Sequence, residues 1–217
     1  MSSTSKALAS LIDHVCDSVI GHADELTGLD RAIGDADHGL NMQRGFLAVK
    51  AKRDALGELE YGGALSEVGK TLVMTVGGAS GPLYGTLFMR LGQELSRHPS
   101  PSRAEVVEAL HVAIEAVKAR GKAQSGQKTM LDVLEPLYAH LVSDPGASPR
   151  SIRAVVLDAA EATIPMKAER GRASFLGERS RGHMDPGARS SALIVCAVCD
   201  RLEAAADAGL HFDEGQR

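Results

Sequence analysis

Leu8, Leu11, Ile12, Val15 and Val19 recur three and four residues apart, the spacing that gathers apolar side chains on one face of an α-helix. Val106, Leu110, Ile114 and Val117 repeat the pattern. The periodicity predicts eight helical stretches, near residues 4–26, 39–56, 63–76, 82–97, 102–120, 129–143, 148–168 and 188–207. No convincing run of alternating apolar and polar residues marks a β-strand. The expected fold is all-α, in one domain over 1–217, since a single core commonly serves chains of up to roughly 250 residues.

Between the helices, the connections at 28–39, 77–81, 121–128 and 170–187 are rich in Gly or Asp, or in Arg, Gly and Ser, and carry few core-forming residues. Long loops inside a compact fold are usually functional or disordered, so chemistry is expected here. Ser143 to Pro149 reads as a plain turn.

Composition narrows the function. The chain is 44% hydrophobic and 24% charged, which is globular, and its net charge of −4 supplies no basic field for a polynucleotide. No apolar run approaches the ~20 residues that span a bilayer, and Met1 to Lys6 is not followed by a signal-peptide core. No nucleic acid, no membrane and a cytoplasmic location are therefore expected. Cys196 and Cys199 form a CxxC pair, but they follow Leu193-Ile194-Val195 within a helical pattern, which favours buried packing over redox or zinc chemistry.

Three segments carry candidate chemistry. Asp30, Asp35 and Asp37 crowd three carboxylates into eight residues, costly without a cation, and hard oxygen ligands suit Mg²⁺ or Ca²⁺. Helix caps or solvated turn acids would use the same residues. An EF-hand fails, because counting twelve from Asp30 reaches Asn41 rather than a glutamate. His38 to Asn41 open the next helix, whose free N–H groups favour a phosphate. Gly77-Gly78-Ala79-Ser80-Gly81-Pro82 would let a ligand approach the backbone, or serve only as a turn. The run Gly171 to Gly187 brings Arg172, Arg179 and Arg181, whose forked guanidinium groups suit phosphate, though a solvated basic loop reads the same way. No P-loop is present: the stretches ending Gly69-Lys70-Thr71 and Lys128-Thr129 miss its spacing and follow no strand.

Together the segments resemble the ADP-binding L subunit of dihydroxyacetone kinase, a family carrying the motifs TGLDREIGDADHG, GGASGP and GRASYLGERS-GH-DPGA in that order. They correspond to Thr27 to Gly39, Gly77 to Pro82 and Gly171 to Ala188. The resemblance implies an eight-helix antiparallel barrel with the nucleotide among the loops at one end. It implies that Asp30, Asp35 and Asp37 hold two Mg²⁺ ions, with Arg179 as a fourth catalytic residue. His38, Gly39, Leu40, Asn41, Gly78, Ala79 and Ser80 would line the phosphates of ADP or ATP. Gly121, Thr129, Met130, Arg179, Asp185, Pro186 and Gly187 would complete the nucleotide pocket. One residue departs from the family: Gln127 stands where an aspartate is common.

The implied partners are a K subunit that holds dihydroxyacetone covalently on a histidine and a phosphotransferase-system M subunit that rephosphorylates bound ADP. Pairing into a homodimer is left open. A kinase subunit for another small ketose, such as erythrulose, and a non-catalytic ADP or ATP sensor remain alternatives.

Overall fold

The computed structural model describes residues 3–207. Residues 1, 2 and 208–217, which the one-domain reading also included, lie outside the described residues. The elements are α1 (Ser3–Gly21), α2 (Ala23–Ile33), α3 (His38–Lys50), α4 (Arg53–Gly57), α5 (Tyr61–Thr75), α6 (Ser80–Leu95), α7 (Arg103–Gly121), α8 (Leu131–Ser143), α9 (Pro149–Ala162), a 3₁₀ segment (Arg172–Ser180) and α10 (Pro186–Asp207). Among the described residues there is no strand, and no helix is long and apolar enough to cross a membrane.

Each long helix packs on the next in chain order: α1 on α3, α3 on α5, α5 on α6, and so on to α10, which returns to α1. The eight long helices among the described residues thus close a ring, as the implied barrel requires. Its interior is filled by side chains such as Leu26, Phe46, Leu72, Tyr84, Val117 and Leu131, with a second cluster around Val133, Val156 and Ala192. Burying each large side chain contributes about 1.5 to 3 kcal/mol.

The predicted boundaries differ where local chemistry intervenes. The stretch read as 4–26 breaks at His22, whose Nδ1 pairs with the Ser18 carbonyl oxygen at 2.6 Å. A separate helix, α2, then runs to Ile33 and buries Ala23, Leu26, Asp30 and Ile33 on one face. Asp30 therefore sits in the last turn of a helix, not in the loop at 28–39. The stretch read as 39–56 divides at Ala51 and Lys52 into α3 and α4, and that read as 148–168 ends at Ala162. Val106, placed on the apolar face of α7, is exposed, whereas Ile114 and Val117 are buried. Cys196 and Cys199 lie on α10 as free thiols, and burial raises the pKa of both.

Two helices start with side-chain caps. Ser102 and Glu105 form a reciprocal capping box on α7, and Ser148 accepts from the Ser151 N–H before Pro149 opens α9.

Helices α5 and α6 approach closely because glycines line their seam. A Cβ on Gly69 would lie 2.7 Å from the Gly85 carbonyl oxygen, and one on Gly92 would lie 2.5 Å from that of Gly62. The order of these contacts runs opposite along the two helices, so the pair is antiparallel, and the turn between them is held at one end of the ring. Gly69→Ala should cost about 2 kcal/mol through overpacking. Thermal unfolding should show a melting temperature roughly 4 to 8 °C lower for a domain of this size.

Candidate functional site

At one end of the ring, the α2–α3, α5–α6, α7–α8 and α9–α10 connections surround a cavity of about 440 Å³. That volume lies within the range of small-molecule sites.

The acid cluster forms its rim. Ligand oxygens of Asp30, Asp35 and Asp37 all lie within 4.8 Å of one another. Helix α2 delivers Asp30, which is buried: its Oδ2 accepts from the Asp37 N–H at 2.8 Å and the His38 N–H at 3.1 Å. Gly34 is required next to it, since a Cβ there would stand 2.0 Å from Asp30 Oδ1. Between Asp35 and Asp37, Ala36 adopts a left-handed backbone with φ of 62°, unusual for a residue with a side chain and of a kind that clusters at functional sites. The Arg172 Nε lies 2.8 Å from Asp35 Oδ2, so a guanidinium supplies a positive charge to the cluster. Three convergent hard-oxygen groups already drawing a cation fit a divalent ion of the magnesium type.

Beneath the rim, Gly77, Gly78, Ala79 and Ser80 line the cavity. Gly78 has φ of 63°, which a side chain would strain, and a Cβ on Gly77 would meet Asn41 Oδ1 at 2.7 Å. Asn41 is in turn held by Arg44, which also donates to the Thr75 carbonyl oxygen and so braces α3 against the end of α5. His38 is buried, with Nδ1 3.1 Å from Ser80 Oγ and Nε2 3.0 Å from Ser190 Oγ. Burial lowers its pKa, favouring the neutral ring. Tyr84 continues the chain of hydroxyls to Ser190 and Ser191 and to the Gly187 carbonyl oxygen, and burial pushes its phenol up to about 12.

The deeper wall is apolar, from Ile33, Leu83, Val117, Ala123, Met130 and Leu131. Asp132 shapes the loop above it by accepting from the Gly126 N–H, the Ser125 hydroxyl and the Thr129 N–H. Gln127 is outside the cavity lining and ties that loop to the next: its Oε1 accepts from the Gln124 N–H and Arg170 Nε, and its Nε2 donates to Glu169. The amide here thus satisfies two donors and an acceptor at once.

Of the residues expected at the site, Asp30, Asp35, Asp37, His38, Gly78, Ala79, Ser80, Gly121, Thr129, Met130, Asp185, Pro186 and Gly187 line one cavity. Gly39, Leu40, Asn41 and Arg179 are outside its lining. Gly39 is a packing residue, since a Cβ would lie 1.9 Å from the Ala23 carbonyl oxygen, and Leu40 is 57% exposed. Arg179 is exposed, and the guanidinium that reaches the acids belongs to Arg172. Arg120, Arg170 and the apolar wall apart from Met130 were missed from sequence, and Arg172 was noted only as one arginine of its run. The arginine run did signal basic residues, but Leu83 and Val117 look like ordinary helix-face residues.

Asp185 caps α10, its Oδ2 accepting from the Ala188 N–H at 2.7 Å, and burial pushes its carboxyl up to about 7. The folded state thus holds a proton that the unfolded chain releases above about pH 4, so this group's contribution to stability declines as pH rises toward and through 7. Asp185→Asn keeps a capping oxygen and removes that titration. Denaturant unfolding without nucleotide should show the parent losing stability between pH 5 and 8 more steeply than the variant.

Residues 32–200 match the DAK2 domain family. The chain is 46% identical over 175 residues to the ADP-binding subunit of the PEP-dependent dihydroxyacetone kinase of Escherichia coli (strain K12), covering 77% of this chain and 83% of that one. It is 41% identical over 173 residues to the ADP-binding subunit of the PTS-dependent enzyme of Lactococcus lactis, covering 78% and 83%. The dihydroxyacetone kinase of C. freundii, solved with AMP-PNP and Mg²⁺, aligns with a TM-score of 0.73 at 25% identity, over 92% of this chain and 34% of that larger one. With acid cluster, glycine turn and arginine segment gathered at one cavity, the chain belongs to the DAK2 domain family, alongside the ADP-binding subunits of dihydroxyacetone kinases.

Proposed function

We propose that this chain, working as one nucleotide-binding domain over 1–217 in the cytoplasm, holds Mg²⁺–ADP or Mg²⁺–ATP and passes the γ-phosphoryl to dihydroxyacetone carried covalently by a partner K subunit. A phosphotransferase-system M subunit then rephosphorylates the ADP in place. The observation that carries the reading is the convergence of Asp30, Asp35 and Asp37 at the mouth of a cavity floored by a glycine turn and walled by apolar side chains. The names of the similar kinase subunits support it.

Asp30, Asp35 and Asp37 would hold two Mg²⁺ ions, which neutralise phosphate charge and keep the transferring group in line. The chain's own work is positioning. Gly78 and Ala79 leave room for phosphate oxygens against the backbone, and the Ser80 hydroxyl, steadied by neutral His38, faces the same space. Arg172, paired with Asp35 in the structure, is placed to exchange that carboxylate for phosphate charge. Leu83, Val117, Ala123 and Met130 offer a dry slot for the base, and Thr129 and Asp185 to Gly187 close its edge. No side chain here needs to form a covalent intermediate, so the chain contributes half of a shared active site.

Two measurements test the proposal. Protein purified in magnesium without added nucleotide and then denatured should release ADP in near-stoichiometric amount, read by chromatography with mass detection. A lack of ADP, together with transfer from free ATP at a rate indifferent to any M-type protein, would overturn the resident-ADP mechanism. Asp35→Asn should lower phosphoryl transfer with a cognate K subunit by roughly a hundredfold or more, since it removes charge stabilisation where charge is transferred.

A further inference from the structure

Lys128 has no place in that mechanism, yet it is among the most unusual residues in the fold. It is 1% exposed and carries a left-handed backbone with φ of 63°. Glycine or asparagine would adopt that conformation more easily, so lysine is retained here for its side chain. Its Nζ donates to carbonyl oxygens of Thr163 at 2.9 Å, Ile164 at 3.4 Å, Met166 at 3.1 Å, Ser180 at 2.8 Å and His183 at 2.5 Å. Three N–H bonds are shared among these five oxygens, in a cage of the kind that otherwise coordinates a metal cation.

The cage is made from both ends of one segment. Thr163, Ile164 and Met166 follow α9, while Ser180 and His183 precede α10. Other bonds stitch the same ends: the Gly182 N–H donates to the Ile164 carbonyl oxygen at 2.8 Å, the Ala168 N–H to Ser180 Oγ at 2.8 Å, and the Asp185 N–H to Thr163 Oγ1 at 3.0 Å. Without a cation at the centre, five carbonyl dipoles would point at one another in a buried space, a costly arrangement.

We propose that Lys128 is the positioning residue of this site: its ammonium plugs the carbonyl cage and so holds 163–185 in the shape that forms one side of the cavity. Arg170, Gly171, Arg172 and Ala173 project from the middle of that segment, and Asp185 to Gly187 continue from its end. Thr129 and Met130, on the opposite edge, are the residues immediately after Lys128. One ammonium therefore fixes both edges relative to each other. The inference rests on the reading of the cavity as a nucleotide site.

Lys128→Gly tests it, because glycine suits the backbone and leaves a channel the shape of the lost side chain. ADP binding in magnesium should weaken by roughly tenfold or more, as losing support behind ligand-holding groups does elsewhere. Amide hydrogen exchange should accelerate within 163–185. Adding n-butylammonium should restore both, whereas tetramethylammonium, equally charged but without N–H donors, should not. Gly92→Ala, destabilised toward the end of the α5–α6 seam away from the cavity, should keep the parent's ADP affinity, separating positioning from general stability. If Lys128→Gly fails to fold alone, folding rescued by n-butylammonium and not by tetramethylammonium supports the cage, and rescue by neither overturns it. A folded variant that binds ADP within twofold of the parent, or that does not distinguish the two amines, also overturns it. Failure of the parent itself to bind ADP would instead count against the nucleotide reading.

Discussion

Three acidic side chains with oxygens inside 4.8 Å repel one another when ionised, by on the order of 1 kcal/mol per pair in water-like surroundings and more where water is excluded. Nearby features of the fold hold this crowding in place. The last turn of α2 presents Asp30, Gly34 leaves space for its carboxylate, and the strained Ala36 turns the chain so that Asp35 and Asp37 face it. The opening N–H of α3 and that of Asp37 steady Asp30 from behind, and Arg172 offsets charge from across the cavity. On the proposed reading such a cluster is organised for a cation before one arrives, which would give the neighbouring glycine turn and apolar wall a chemical use.

The helical ring explains why so much polarity survives at one end. Glycines along the α5–α6 seam let those backbones approach, and alanines of α9 and α10 pack in the second core cluster. Four connections then emerge together, and buried polar groups at that end of the ring pair with one another. His38, Tyr84, Ser190 and Ser191 form one such network, Asp132 closes the loop before α8, and Lys128 gathers the carbonyls of the last loop. Buried polar groups that are fully paired confer a single geometry, and a partly paired set would be the first part of the fold to loosen.

Much of this was legible in the residues. Helical spacing located the long helices, and the clustered aspartates and glycine turn marked the site because few structural needs place three carboxylates in eight residues. Asp30 was misplaced into a loop because Gly28 and the neighbouring acids suggest a break, whereas burial of Leu26 and Ile33 keeps α2 helical. Arg179 drew attention through its motif, but which arginine reaches the acids depends on how the 3₁₀ segment folds, and that is Arg172. Lys128 could not be found from spacing at all. Its partners are backbone carbonyls 35 to 55 residues away, which leave no trace in side-chain identity.

The central claim is that the carboxylate cluster and the cavity bind nucleotide as one unit through a divalent ion. Calorimetric titration of nucleotide-stripped protein with ADP, with magnesium and again with the metal chelated, tests this most directly. The account predicts tight binding that disappears on chelation and returns when magnesium is restored. Equal affinity in both conditions would contradict it, because the acids would then contribute nothing to holding the phosphates.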